Sequence, residues 1–170
     1  VLLTSVCRPL GEAYGDAPSV GYELLHGQVT RAQGMFSPRS LHTQFSLDYI
    51  AANLDVPTTV LQYPSRQELI RELKEGYDYV GIAFIMATFH IMEEMVQLIR
   101  KHSPGTKIIL GSYGTVLSDD VLKQYGDHIC REEGVAFMRR LLGEPEIQMP
   151  YAHPTVINPM RIFGKNVSQS

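Results

Sequence analysis

Tyr79-Val80-Gly81-Ile82-Ala83-Phe84-Ile85 is followed by Met86-Ala87-Thr88, then by a stretch to His102, then by Lys107-Ile108-Ile109-Leu110 running into Gly111-Ser112-Tyr113-Gly114-Thr115. The two short runs are apolar on both faces, the pattern of strands covered from both sides. Between them Phe89, Met92, Val96 and Ile99 recur at helical spacing from Thr88 to His102. Ser103-Pro104-Gly105 ends that helix. Strand, amphipathic helix and strand in this order predict a parallel pair joined by a crossover helix.

The same alternation continues on both sides. Val1 to Val6 predicts a first strand, apolar on both faces. Thr43 to Leu54 predicts a helix through Leu47, Ile50, Ala51 and Leu54, and Thr58 to Tyr63 a second strand. Ser65-Arg66-Gln67-Glu68 matches a capping box for a helix that runs to Glu75 and stops at Gly76. Ser118 is placed to cap a helix through Tyr125, with Asp119 and Asp120 in its first turn. Asp127 to Arg131 predicts a short fifth strand, and Gly134 to Leu142 a last helix with Val135, Met138 and Leu141 inward. Five strand–helix units predict a flavodoxin-like α/β fold, with parallel strand order 2-1-3-4-5 and helices on both faces. The predicted domain is 1–143, with a long loop insertion at 8–42. From Glu144 the prolines 145, 150, 154 and 159 predict an extended linker to 170 rather than a second domain.

Composition narrows the function classes. Apolar residues make up 44% of the 170 and charged residues 19%, with a net charge of -3. No electrostatic case for nucleic acid or an anionic membrane follows, and no run of about 18 apolar residues predicts a span. Two cysteines, Cys7 and Cys130, cannot build a four-Cys zinc site, and a reducing cytoplasmic setting is the default. A bond between them is not expected, because the strand order separates them by about 14 Å.

Ligands of this architecture bind beyond the strand C-termini. The clusters there are Arg8-Pro9-Leu10-Gly11 after strand one, Met86-Ala87-Thr88 after strand three, Gly111 to Thr115 after strand four and Glu132-Glu133-Gly134 after strand five. Small residues in the third and fourth strand exits let backbone lie against a flat ligand, although turn chemistry alone also explains the glycines. None of the six histidines stands at metal-site spacing from another.

Taken together, Val80 to Phe89, Lys107 to Thr115 and Arg131 to Gly143 resemble the third strand and helix, the fourth strand with its glycine turn, and the fifth-strand exit and last helix of cobalamin-binding domains. The last of these stretches resembles in particular the N-terminal module of B12-dependent radical SAM proteins. Pro159 to Gly164 resembles the linker before their catalytic barrel. The resemblance implies a corrin across the strand ends, with its dimethylbenzimidazole tail near strands three and four. The implied cofactor-binding residues are Arg8, Pro9, Leu10, Gly11, Ala83, Ile85, Ala87, Thr88, Gly111, Ser112, Tyr113, Gly114, Thr115, Glu132, Glu133 and Gly134.

Departures from the family pattern shape the expectation. Ala83-Phe84-Ile85 stands at the Ser-x-Leu position and Gly111-Ser112 at the Gly-Gly position. A hydroxyl for the tail base is missing at Ala83, leaving Thr88 or Thr115 to supply one. At Asp-x-His-x-x-Gly, Val6 replaces Asp and Arg8 replaces His, and arginine cannot ligate a metal. The expected state is base-displaced and His-off, with no metal ligand from this chain. The Cys-x-x-x-Cys-x-x-Cys site of radical SAM enzymes cannot be built from two distant cysteines, so the resemblance implies that a [4Fe-4S] cluster and S-adenosylmethionine would belong to a downstream radical SAM domain, expected after residue 170. The competing readings are a degenerate module that only docks, and a flavodoxin-like domain for a flavin or nucleotide.

Overall fold

The computed structural model describes residues 1–7, 44–149 and 151–154, and the backbone of 158–162 and 165–169. Strand β1 (Leu2–Ser5) is buried along its whole length and lies between β2 (Thr59–Leu61) and β3 (Tyr79–Ala83). Strands β4 (Lys107–Gly111) and β5 (His128–Ile129) complete a five-stranded, all-parallel sheet of order β2-β1-β3-β4-β5. This is the flavodoxin-like α/β arrangement expected from the sequence, with the order reversing between β1 and β3.

The register decides what each face of the sheet presents. Leu3, Gly81, Ile109 and His128 form one cross-strand row, and Ser5, Ala83 and Gly111 the next row towards the strand C-termini. These rows share a face because parallel partners point the same way. Helices α1 (Phe45–Ala51) and α5 (Gly134–Leu142) cover it, and Leu3, Leu47, Ala83, Ile109 and Met138 form a buried cluster there. Val80, Ile82, Ile108 and Leu110 alternate to the opposite face. There they join the buried side chains of α2 (Arg66–Leu73), α3 (Phe89–His102) and α4 (Asp119–Leu122), among them Leu69, Met92, Met95 and Leu122.

Local chemistry fixes the element ends. Ser65 and Glu68 form both halves of the capping box that opens α2: the Glu68 N–H donates to the Ser65 hydroxyl at 3.2 Å and the Ser65 N–H to the Glu68 carboxylate at 2.7 Å. Ser118 precedes α4 but makes no side-chain cap bond. Helix α3 starts one residue later than predicted, because Met86–Thr88 forms a 3-10 turn. In it the Thr88 hydroxyl accepts from the Ile85 N–H at 3.2 Å and donates to the Ile85 carbonyl at 3.0 Å. Strand β2 is shorter than predicted, and Tyr63 beyond it turns with φ 44°.

Two expectations about the C-terminal part are corrected. The domain does not stop at Gly143. Asn53 donates to the Ala152 carbonyl and accepts from the Ala152 N–H, at 2.8 and 2.7 Å, so residues 144–154 pack against the end of α1. Arg139, 4% exposed, closes the join by donating to the Asn53 and Pro145 carbonyls and pairing with Asp55 and Glu144. The remainder is not a plain extended linker: β6 (Asn158–Ile162) and β7 (Lys165–Gln169) pair antiparallel as a separate hairpin. Pro159 is compatible with a two-stranded ribbon, in which each strand has an edge free of ladder bonds. Among the described residues no helix is long and apolar enough to cross a membrane, and Cys130 is a free cysteine.

Candidate functional site

Strands β1, β3 and β4 carry unusually small residues on the face under α1 and α5. A side chain at Gly81 would press on Leu3, with 2.8 Å from its Cβ to Leu3 Cδ2. At Gly111 the nearest atom to a Cβ would be Cys130 Cβ, at 4.0 Å, so that position borders open space. With Ala83 between them, these residues leave the sheet floor low near the strand ends. Above it, α1 and α5 meet where Gly134 lets Ile50 approach, a Cβ there falling 2.5 Å from Ile50 Cδ1. The result is a cleft of about 570 Å³, floored by Leu3, Gly81, Ala83, Ile109 and Gly111 and walled by Leu47, Ile50 and Met138.

The mouth opens beyond the strand C-termini. Ser46, Ser112, Tyr113, Val116, Arg131 and Glu132 line it, all exposed, Tyr113 by 85%. Arg131 is held in place: it donates to the Thr115 and Leu117 carbonyls, each at 2.8 Å, and pairs with Asp119. The Asp119 carboxyl is held below its usual range by Lys123 first and Arg131 second. Glu132 pairs with Arg140. Cys130, on the β5 side, has its thiol pushed up by burial.

No protein-family model matches the chain, and no curated protein matches it significantly. The site therefore stands on its geometry.

The cleft gathers Ala83, Gly111, Ser112, Tyr113, Thr115, Glu132 and Gly134 of the residues implied by sequence. Ile85, Ala87, Thr88, Gly114 and Glu133 do not line it. Thr88 is spent on its own turn, so of the two candidate hydroxyls Thr115 is the one at the cleft. Glu133 caps α5, accepting from the Val135 and Ala136 N–H groups at 2.9 and 2.8 Å. Gly114 serves the fold, since a Cβ there would lie 2.2 Å from the buried Phe84 ring. Arg8, Pro9, Leu10 and Gly11 lie outside the described residues, as do His26 and His42. Among the described residues no group of three His, Cys, Asp or Glu side chains could hold a metal.

Ser46, Leu47, Ile50, Gly81 and Met138 are lining residues that the sequence did not single out as such. Gly81 carried a usable signal, because a glycine inside a strand often marks close approach by another group. Ser112 adds a second feature. Its φ of 71° and ψ of -168° fall in a backbone region that is essentially reserved for glycine.

Proposed function

We propose that this domain is a cobalamin-binding module, which presents a base-displaced, His-off corrinoid to a radical SAM domain following in the same chain, in the cytoplasm. The observation that carries the reading is the cleft floored by Gly81, Ala83 and Gly111. It opens at the strand C-termini, where ligands of this sheet order bind. Its volume of about 570 Å³ is of the size that encloses a small organic ligand. A planar tail base would fit between a low sheet floor and the apolar side chains of α1 and α5, and the exposed rim side chains Ser112, Tyr113 and Val116 are available to a broad ring.

When bound, cobalamin would supply methyl-transfer or radical-rearrangement chemistry. This chain's own residues would bind and orient it. Gly111 keeps backbone close to the tail, Leu47, Ile50 and Met138 exclude water from it, and Arg131 stiffens the rim through two backbone carbonyls. The [4Fe-4S] cluster and S-adenosylmethionine would belong to the downstream domain.

The test is retention of hydroxocobalamin by the purified protein through gel filtration, with a base-displaced absorption spectrum as the expected result. A folded protein that retains no corrin would favour the docking reading instead. That alternative draws on the exposed apolar side chains Met86, Tyr113 and Val116 beyond β3 and β4.

A further inference from the structure

The two helical walls of the cleft are not equally anchored. Helix α5 buries Val135, Met138 and Arg139 and is capped by Glu133. Helix α1 has seven residues, no side-chain bond from its Gln44 N-cap and one buried side chain, Leu47. A helix this short does not hold itself in water and takes its place from what packs on it. Among the described residues, two sets of contacts besides Leu47 fix it. Its first turn is tied to the end of β2 by Gln62, which accepts from the Gln44 N–H at 3.1 Å and donates to Asp48 at 3.0 Å. Its other end is held by the segment that follows α5. Asn53, 6% exposed, donates to the Tyr49 and Ala152 carbonyls, each at 2.8 Å, and accepts from the Ala152 N–H at 2.7 Å. Tyr151 and His153 pack on the Tyr49 ring, with centroids 5.9 and 5.2 Å away, and His153 stacks on Phe45 at 6.4 Å.

Helical spacing puts these contacts and the cleft on neighbouring flanks of α1. Phe45, Tyr49 and Asn53 recur every four residues along one stripe, and Leu47 and Ile50 face the cleft from the next. The same segment starts from the other wall: Arg139 of α5 donates to the Pro145 carbonyl at 2.6 Å and pairs with Glu144 at 2.9 Å. The chain from Glu144 to Pro154 is therefore a strap that runs from α5 to the outer flank of α1.

We propose that this strap is a conformational device coupled to the cleft. With the strap docked, α1 stands over the sheet floor and the cleft has both walls. A ligand between α1 and the floor fixes α1 from the other side and so holds the strap down. Coupling of this kind is reciprocal: the factor by which docking raises ligand affinity is the factor by which the ligand favours docking. The occupied and empty domains then differ at residues 151–154, outside the cleft. This inference rests on the reading of the cleft as the corrinoid site.

The experiment is amide hydrogen exchange of the full chain, read residue by residue, with and without hydroxocobalamin. The Ala152 amide, which donates to Asn53, should exchange about fivefold more slowly or better with the corrinoid bound. The Gly76 amide, which donates to Leu73 at the end of α2 on the opposite face, should not change. The reciprocal arm is His153→Ala, which removes an exposed ring that does not line the cleft. That variant should keep a cooperative melt and bind hydroxocobalamin about fivefold more weakly or worse. Equal slowing at Ala152 and Gly76 would reveal stabilisation of the whole domain and overturn the coupling. Unchanged exchange at Ala152, or wild-type affinity in His153→Ala, would overturn it too. In all three cases the cobalamin reading survives, because the corrinoid is bound. A folded protein that binds no hydroxocobalamin would sink the cobalamin reading, and the coupling with it.

Discussion

Ser112→Gly should make this domain more stable. Ser112 has φ 71° and ψ -168°, and holding a side chain there costs about 1–3 kcal/mol. Glycine removes that cost but returns about 0.4–1 kcal/mol through the greater freedom of the unfolded chain. The side chain is exposed, and the bonds that organise the turn run to its carbonyl, which accepts from the Thr115 N–H at 3.1 Å and the Thr115 hydroxyl at 2.8 Å. Glycine keeps both. The net gain is about 1–2 kcal/mol, or about 2–8 °C in melting temperature for a domain of this size. Urea unfolding of wild type, Ser112→Gly and Ser112→Ala measures it. Alanine keeps the strain and lacks the hydroxyl, so it should track wild type. If glycine failed to exceed alanine, the argument from backbone strain would be wrong.

The two glycines of that turn should separate fold from ligand. Gly114→Ala forces the Phe84 ring to move and should cost about 1–3 kcal/mol in unfolding experiments. Gly111→Leu should keep a cooperative melt and lose corrinoid, and wild-type affinity in that variant would remove β4 from the site. Asp127 should shape acid stability. Burial pushes its carboxyl up, but the Ile108 N–H, Arg100 and Lys107 bring it below its ordinary value overall. A depressed folded value contributes stability above the ordinary carboxylate range of about 4 and loses it as pH falls through the depressed value. Asp127→Asn should thus lower the urea midpoint at pH 7 and show a shallower acid limb, whereas curves parallel to wild type would contradict this. The Cys130 thiol, raised by burial, should alkylate slowly at neutral pH and more slowly still with corrinoid bound; ligand-independent labelling would argue against the cleft as the site.

Where strong local periodicity meets one dominant interaction, the sequence was readable. The alternation around β3, α3 and β4 implied the parallel sheet, and Ser65 with Glu68 marked a helix start because both halves of that cap lie within four residues. The cleft was half readable. Its strand-exit rim follows from the architecture, but its walls do not: Leu47, Ile50 and Met138 look like any core positions, and only the small floor beneath them leaves a space. Gly111 and Gly114 look alike in sequence. They differ because Phe84 packs over one and not the other, a fact of tertiary placement. The packing of 144–154 depends on Asn53 bonding to Ala152 across 99 positions, which leaves no periodic trace. The hairpin at 158–169 was obscured because Pro159, with the prolines before it, predicts an extended linker, although an edge position tolerates proline.

The course of residues 144–154 has a consequence for tethering. Helix α5 ends at Leu142, and Asn53 holds Ala152 just past the end of α1. Tyr151 and His153 pack on Tyr49, and His153 also stacks on Phe45, in the first turn of the helix. The backbone is thus carried back along α1 towards the side on which the cleft opens. Seven helical residues span about 10 Å, so a segment attached after 154 begins its reach closer to the mouth by that order. For a flexible tether, local concentration at a target falls steeply with the length needed to span the gap. Asn53, which stands beyond the end of α1 and does not line the cleft, therefore sets where the chain is held as it leaves this unit.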